Sequence, residues 1–152
     1  MAISVLELLG LFLGGLLAGE ELVVRWGVQP ALRRLEDHAH IEARVSLVRR
    51  LMIVVPALMI PTALVGAAVL VFSGTGAGFA LRCAGVASLV AFLLLSFLGT
   101  VPINITVNDT WSPDNPPADW RKVVVRWEQI DTFRAGTATL AFVLFLVAAA
   151  LG

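Results

Sequence analysis

The sequence predicts an all-α fold, a transmembrane four-helix bundle that runs up-down-up-down as a single membrane domain over residues 1–152. Hydrophobic residues make up 59% of the chain, charged residues only 14%, and the mean hydropathy is +0.90. A soluble domain of this length cannot bury so much apolar surface in one core, so we expect a lipid bilayer around it. Four apolar segments are each close to the ~20 residues that a helix needs to cross a bilayer. The formal net charge is zero, which gives no indication of a nucleic-acid partner.

The first helix is predicted over about residues 3–27. Its apolar run is interrupted by Glu7, Glu20 and Glu21. The segment is not typical of a cleavable signal peptide, because it lacks a basic start and a convincing cleavage site. Gly10 and Gly14 stand four residues apart and would let a neighbouring helix approach closely. We therefore expect this segment to be retained as a membrane helix.

The second helix is predicted over 30–73, with a cytoplasmic extension that precedes the uncharged span 51–72. Pro30 can serve as the first residue of a helix, since its missing N–H has no helical partner there. Residues 31–50 read as an amphipathic helix continuous with that span. Within the span, Pro56 and Pro61 would weaken the hydrogen-bond ladder and could kink the helix.

The third helix is predicted over 78–108 and the fourth over 119–151. Residues 83–107 carry no formal charge, and the uncharged core 135–151 extends back through Trp127. Asp119 is well placed to cap the fourth helix, with Trp120 starting it. The only cysteine, Cys83, excludes an internal disulfide.

The basic residues predict the orientation of the chain in the cell membrane. Three lie between the third and fourth spans, and the turn between the second and third spans has none until Arg82. Six others lie between the first and second spans: Arg25, Arg33, Arg34, Arg44, Arg49 and Arg50. The positive-inside rule then predicts a multi-pass protein whose two long connections are cytoplasmic and whose termini are both non-cytoplasmic.

Polar residues from three helices are predicted at one depth, near the cytoplasmic end. Glu20 and Glu21 end the first helix there. The third and fourth segments each carry residues spaced i, i+4, i+7, which share one helix face: Asn104, Asn108 and Trp111, then Trp127, Asp131 and Arg134. Such residues could simply mark the membrane interface. Their placement on single faces favours an inward-facing polar pocket instead.

A metal site is an alternative for the extension of the second helix. His38 and Glu42 are spaced i, i+4, and His40 lies between them. Spacings of this kind can seat metal ligands on one helix face. The simpler interpretation is a solvated helix with charge pairs along it.

Four motifs in order are similar to the anthrone oxygenase-like family of small four-helix membrane proteins. Members typically show V-P-L-N near the end of the third helix and W-x-x-x-N-x-x-R at the start of the fourth. Asp131 stands where the family usually has asparagine. The matching residues here are V-P-I-N at 101–104 with Asn108 and Trp120, W-x-x-x-D-x-x-R at 127–134, A-G at 18–19, and V-x-P-A-L at 28–32.

The resemblance implies oxidation of an anthrone to an anthraquinone with O2 as co-substrate and with no metal or flavin. A base would remove a carbon-bound proton, and hydrogen-bond donors would stabilise the resulting oxyanion. Asp131 or Glu20 could be the base, and the donors could be Asn104, Asn108 and Arg134. Trp127 could stack on a flat hydrophobic substrate, with Trp111 and Glu21 also contacting it.

Two other functions stay open. A non-catalytic protein could use the polar cluster to hold a lipid or quinone, or to lock a homo-oligomer together. A metal- or haem-dependent membrane oxidoreductase could use the histidines at 38 and 40 with the nearby carboxylates.

Overall fold

The structure, a computed structural model, describes residues 4–151 as four helices joined by short connections. Helix α1 consists of the α-helix Val5–Val23, a π-helical turn Val24–Val28 and a final α-helical turn Gln29–Leu32. Helix α2 is Asp37–Phe72. Helix α3 consists of Phe79–Leu95, the π-helical turn Ser96–Thr100 and Val101–Thr110. Helix α4 is Trp120–Leu151, and residues 4–151 contain no strand.

The predicted all-α class is confirmed, and α2, α3 and α4 are each long and apolar enough to cross a membrane. Helix α1 completes the bundle by packing against α2 and α4, while α3 packs against the same two helices on the other side. The turn at 33–36 and the loop at 111–119 lie at one end of the bundle, which we call the polar end. The turn at 73–78 lies at the opposite end, which we call the far end. The predicted start of the first helix, residue 3, lies outside the described residues.

The break between the first two helices lies later than the sequence predicts. Helix α1 continues through Pro30 as far as Leu32, and α2 begins only at Asp37. The turn forms where Arg34 and Leu35 donate their backbone N–H groups to carbonyls three residues back. Pro30 does not end α1, because the π-helical turn before it leaves room for the proline ring.

Both π-helical turns are followed closely by a proline. Val24–Val28 precedes Pro30, and Ser96–Thr100 precedes Pro102. In an α-helix, a proline ring crowds the carbonyl four residues earlier and removes one hydrogen bond, which strains the turn before it. A widened turn relieves that strain, and such turns are frequent at functional sites. Val24, Ser96 and Thr100 belong to these two turns and line the cavity described below.

The core has two parts, one in the middle of the bundle and one near the polar end. The middle part includes Leu17, Met59 and Phe92, which are almost completely buried. The part near the polar end includes Ile41 and Val107, together with two tryptophans of the 111–120 region. The middle part borders a cavity through Val24, Leu51, Val55 and Met59, and the polar residues of three helices face it.

At the far end, close approach of two helices depends on a glycine. A Cβ atom on Gly78 would lie 2.7 Å from the backbone oxygen of Ala148, a distance that no side-chain adjustment can relieve. Arg82 donates hydrogen bonds to the carbonyls of Ser73 and Gly74. Its buried guanidinium therefore provides partners for backbone carbonyl groups that follow the last turn of α2. The far end is therefore a packed structural contact between α2, α3 and α4.

Candidate functional site

A cavity of about 200 Å³ lies between the four helices, closer to the polar end than to the far end. One side of it is apolar, with Leu51, Val55 and Met59 of α2. The other side carries the polar residues that α1, α3 and α4 contribute: Glu20, Glu21, Ser96, Asn104, Asp131 and Arg134. The space is many times the ~10–15 Å³ that a single water needs. The bundle therefore encloses room for an organic molecule with one apolar and one polar wall.

Arg134 is held at the centre of the polar wall. Its Nε donates to Ser96 Oγ at 3.0 Å, its Nη1 to Asp131 Oδ1 at 3.4 Å, and its Nη2 to Glu21 Oε1 at 2.5 Å. The guanidinium also lies 5.0 Å from the centre of the Phe92 ring, within the range of a cation–π contact. Because its position is set by partners on three helices, Arg134 presents a fixed positive charge to the cavity.

Three carboxyl groups surround this one guanidinium. Glu21 and Asp131 are 1% and 0% exposed, and Glu20 is half-buried. Within residues 4–151, neither Asp131 Oδ2 nor Glu20 Oε2 has a hydrogen-bond partner, although both oxygens are buried. Buried oxygens without partners are costly and uncommon, so these two are free to accept a hydrogen bond or a proton from a molecule in the cavity.

Asn104 is oriented by a tryptophan behind it. Trp127 Nε1 donates to Asn104 Oδ1 at 2.7 Å, and both side chains are buried. An indole N–H can only donate, so it fixes the amide oxygen toward Trp127. The amide Nδ2 of Asn104 is then the group left to donate toward the cavity. Trp127 itself does not line the cavity, so its place is behind Asn104 rather than against a ligand.

Replacing Trp127 with phenylalanine should weaken a ligand contact. The smaller ring leaves a void in the core and costs some stability, while Asn104 Oδ1 loses its donor and the amide becomes free to rotate. We expect binding of a carbonyl ligand to weaken by about fivefold, since one neutral hydrogen bond contributes ~1 kcal/mol. Ligand titration of the purified protein measures this change. A Trp26→Phe variant is the matched control, because Trp26 is 63% exposed and does not line the cavity.

The structure separates residues that the sequence placed on one face. Asn108 lies outside the cavity, and its Oδ1 accepts a hydrogen bond from Arg49 Nε at 3.0 Å. Trp111 packs edge-on against Trp120, with ring centres 6.4 Å apart. These two residues lie one and two turns beyond Asn104, where α2 and α4 close in at the polar end. A shared helix face therefore did not imply a shared site.

The spacing of two further cavity residues, Ser96 and Thr100, indicates their place in the site. Ser96, Thr100 and Asn104 are spaced i, i+4, i+8 within the uncharged run 83–107, so they form a short polar stripe. Ser96 Oγ donates to the carbonyl of Phe92 at 2.8 Å, which leaves its lone pairs to accept from Arg134. Ser96 thus positions the guanidinium.

A second buried polar cluster lies between the cavity and the polar end. Arg44, 2% exposed, donates to Gln29 Oε1 at 2.8 Å and lies 3.7 Å from Glu128 Oε1. Glu128 also pairs with Arg33, and the hydrogen bond and charge of Glu128 raise the pKa of Arg33 above its ordinary value. Gln29, Arg44 and Glu128 come from α1, α2 and α4. The cluster therefore connects these three helices between the cavity and the polar end. Sequence spacing gave no indication that these three residues meet.

The residues of the metal alternative do not come together. His38 is exposed and lies 3.1 Å from Asp114 Oδ1, whereas His40 is buried beside the Trp120 ring and within 3.2 Å of Arg44 Nε. Glu42 is exposed on the same helix. Across the described range 4–151, no three His, Cys, Asp or Glu side chains are grouped so that they could hold a metal ion.

Comparison with known proteins points to one family. A family model described as Anthrone oxygenase matches residues 46–144, a range that contains Asn104, Asp131 and Arg134. The resemblance found in the motifs of α3 and α4 is thereby confirmed, and Glu20 and Glu21 precede the matched range. No curated protein and no solved structure matches the chain.

Proposed function

Because the chain belongs to the anthrone oxygenase family, we propose that it is a membrane oxygenase that converts an anthrone-like aromatic ketone to a quinone. The reaction takes place in the cavity between the four helices and uses O2. The observation that carries this proposal is the buried Asp131 Oδ2, which has no partner within residues 4–151 and lies beside the fixed guanidinium of Arg134. An unpartnered carboxylate and a cation in one cavity can remove a proton and stabilise the anion that results.

The two walls of the cavity suit a flat ketone. Ring systems fit against the apolar wall of Leu51, Val55 and Met59. Burial of the aromatic surface against this wall contributes favourably to the free energy of ligand binding. The ketone oxygen then points toward the polar wall, where Asn104 Nδ2 and the guanidinium of Arg134 are the available donors. A substrate bound in this way presents its reactive CH2 group, opposite the ketone on the central ring, within the same cavity.

The first step is removal of a proton from that CH2 group by Asp131. The electron pair of the broken C–H bond delocalises into the rings and onto the ketone oxygen, which becomes an enolate. Asn104 and Arg134 stabilise the enolate more than the neutral ketone, so their effect is on the rate and not only on binding. The low-dielectric surroundings strengthen these interactions because little water competes for the same donors.

The second stage consumes O2 and needs no outside reductant. The electron-rich carbon bonds to one oxygen atom, and a proton from a carboxyl group gives a hydroperoxide. Removal of the remaining proton on that carbon forms the new C=O bond while the O–O bond breaks, and the outer oxygen leaves as hydroxide, which takes up a proton from a carboxyl group to become water. One O2 and one anthrone therefore give one quinone and one water, with all electrons supplied by the substrate.

The three carboxyl groups provide the protons that these steps move. A single guanidinium cannot neutralise Glu20, Glu21 and Asp131 together, and unpaired carboxylates are expensive inside a membrane. Protons are therefore retained within the group. Glu20 is the least buried of the three, so it is the group through which the site exchanges protons with its surroundings.

Oxygen uptake by the purified protein in lipid nanodiscs, with anthrone added, tests the proposal. We expect uptake above that of empty nanodiscs, with one quinone formed per O2 consumed. Asn104→Ala should lower this rate about 10²-fold, because it removes one donor to the developing oxyanion. Asn108→Ala is the matched control, since it deletes the same side chain one turn away and outside the cavity. Uptake equal to empty nanodiscs, or equal losses in both variants, would contradict the assignment.

The second candidate function is binding without turnover. It is favoured by the closed arrangement around Arg134, whose three nitrogens already have protein partners. A guanidinium held in that way can stabilise the fold and bind a quinone carbonyl with no reaction. The same nanodisc experiment distinguishes the two functions, because a binding protein returns its ligand unchanged and consumes no oxygen.

A further inference from the structure

The cavity reaches the outer surface of the bundle between α2 and α3. Three residues that line it are also substantially exposed: Met52 is 39% exposed, Phe97 52% and Ile105 46%. Met52 belongs to α2, and the other two belong to α3. A side chain that contacts both the cavity and the surroundings marks the place where the wall of the cavity is one residue thick.

The edges of this gap are two apolar rows on neighbouring helices. Met52 and Pro56 are spaced i, i+4 on α2, and Phe97, Val101 and Ile105 are spaced i, i+4, i+8 on α3. None of these side chains carries a charge or a hydrogen-bond donor. Because α2 and α3 are both long and apolar enough to cross a membrane, the gap faces acyl chains rather than water. We call it the lateral gap.

Both edges of the lateral gap have a weakened helical ladder. Pro56 removes the hydrogen bond that would join its nitrogen to the Met52 carbonyl, and the π-helical turn Ser96–Thr100 widens α3 on the facing side. Helices bend most readily at such positions. The lateral gap therefore lies where a small separation of the two helices costs least.

Toward both ends of the bundle, packed side chains close the cavity. Toward the polar end, Val107, Trp127 and Arg44 are at most 2% exposed and are packed together. Toward the far end, Leu17 and Phe92 are 1% and 0% exposed. A polar molecule arriving from water would have to displace these buried side chains, whereas a molecule in the bilayer meets only the apolar edges of the lateral gap.

We propose that the cavity exchanges its ligand directly with the interior of the bilayer through the lateral gap. The ligand class is then flat, uncharged molecules that dissolve in the membrane, and water-soluble anions are excluded. This inference rests on the proposed function only for the identification of the cavity as the ligand site. It adds the route, and it explains why the polar groups lie deep in the cavity and not at its opening: a lipid-dissolved ketone meets them only after it has entered.

Cysteine labelling in phosphatidylcholine vesicles tests the route without any catalysis. Cys83→Ala removes the natural thiol, and Thr100→Cys places a new one on the cavity wall. We expect N-phenylmaleimide, which dissolves in the bilayer, to label this thiol at least tenfold faster than a water-soluble sulfonated methanethiosulfonate does. Adding Val101→Trp at the edge of the lateral gap should slow the maleimide reaction at least tenfold.

Leu98→Trp is the matched control, because Leu98 is 76% exposed on the same helix and does not line the cavity. It should leave the labelling rate unchanged, and Ile105→Trp serves as a second blocking variant if Val101→Trp fails to insert. Equal labelling by the charged reagent, equal rates in blocked and control variants, or no labelling of the cavity thiol would each overturn the proposal. These outcomes are independent of oxygen uptake, so failure of the route and failure of the oxygenase assignment can be told apart.

Discussion

Arg134→Ala is expected to abolish anthrone-dependent oxygen uptake and to destabilise the protein by about 3–5 kcal/mol, the usual cost of removing one partner from a buried ion pair. Glu21 and Asp131 are almost fully buried, and Arg134 is the cation that pairs with both. Without it, the carboxyl groups lose their counter-charge and the enolate loses its main stabilising group. Oxygen uptake in nanodiscs and thermal unfolding in detergent measure the two effects.

Arg126→Ala is the matched control for this substitution, because Arg126 is exposed on the same helix. It should leave both measurements unchanged. Arg134→Met combined with Glu21→Met removes the guanidinium together with one of its two carboxyl partners and should recover part of the stability, since only Asp131 is then left without its counter-charge. It should not recover the oxygen uptake. An Arg134→Ala protein with normal uptake would show that the guanidinium does not stabilise the reacting anion.

Asp131→Asn is expected to lower the rate of oxygen uptake by about 10²–10⁴-fold, the usual contribution of a general base. The amide has nearly the same shape as the carboxylate and keeps an oxygen to accept from Arg134, but it cannot take a proton. We therefore expect thermal stability close to that of the original protein. The ratio of the two rates in nanodiscs measures the effect.

Two further variants decide whether the loss belongs to Asp131. Asp119→Asn removes an exposed carboxylate before α4 and should have no effect on the rate. Glu20→Gln should lower the rate less than Asp131→Asn does, because Glu20 exchanges protons but does not remove the one on the substrate. If the order of the two losses were reversed, Glu20 would be the base and Asp131 a partner of Arg134.

Much of the fold and part of the site can be predicted from the sequence. Uncharged runs of bilayer length predict the membrane helices, because a backbone in lipid must satisfy its hydrogen bonds internally. The motif residues Asn104, Asp131 and Arg134 were predicted as a group, and all three line one cavity. Polar residues in apolar runs are conspicuous, so they can be recognised before any neighbour is known.

Other parts of the site could not be predicted, since they depend on distance in space and not on local pattern. Glu21 and Arg134 form an ion pair across 113 positions of the chain, and no local signal joins them. Asn104 and Asn108 share a helix face, but Trp127 holds the first and Arg49 the second. Helical periodicity gives the direction of a side chain and not the identity of the residue that it meets.

The sequence by itself determined that this is an all-α membrane protein of one family, because lipid admits few ways to satisfy a backbone and the family motifs lie in the chain. Only the tertiary structure decided which polar groups form the site. Packing of four helices placed Glu21, Asp131 and Ser96 around one guanidinium and left a cavity beside it. It also left an apolar gap between α2 and α3. The physical reason is that the depth and facing of a side chain are set by the neighbouring helices, which no single segment specifies.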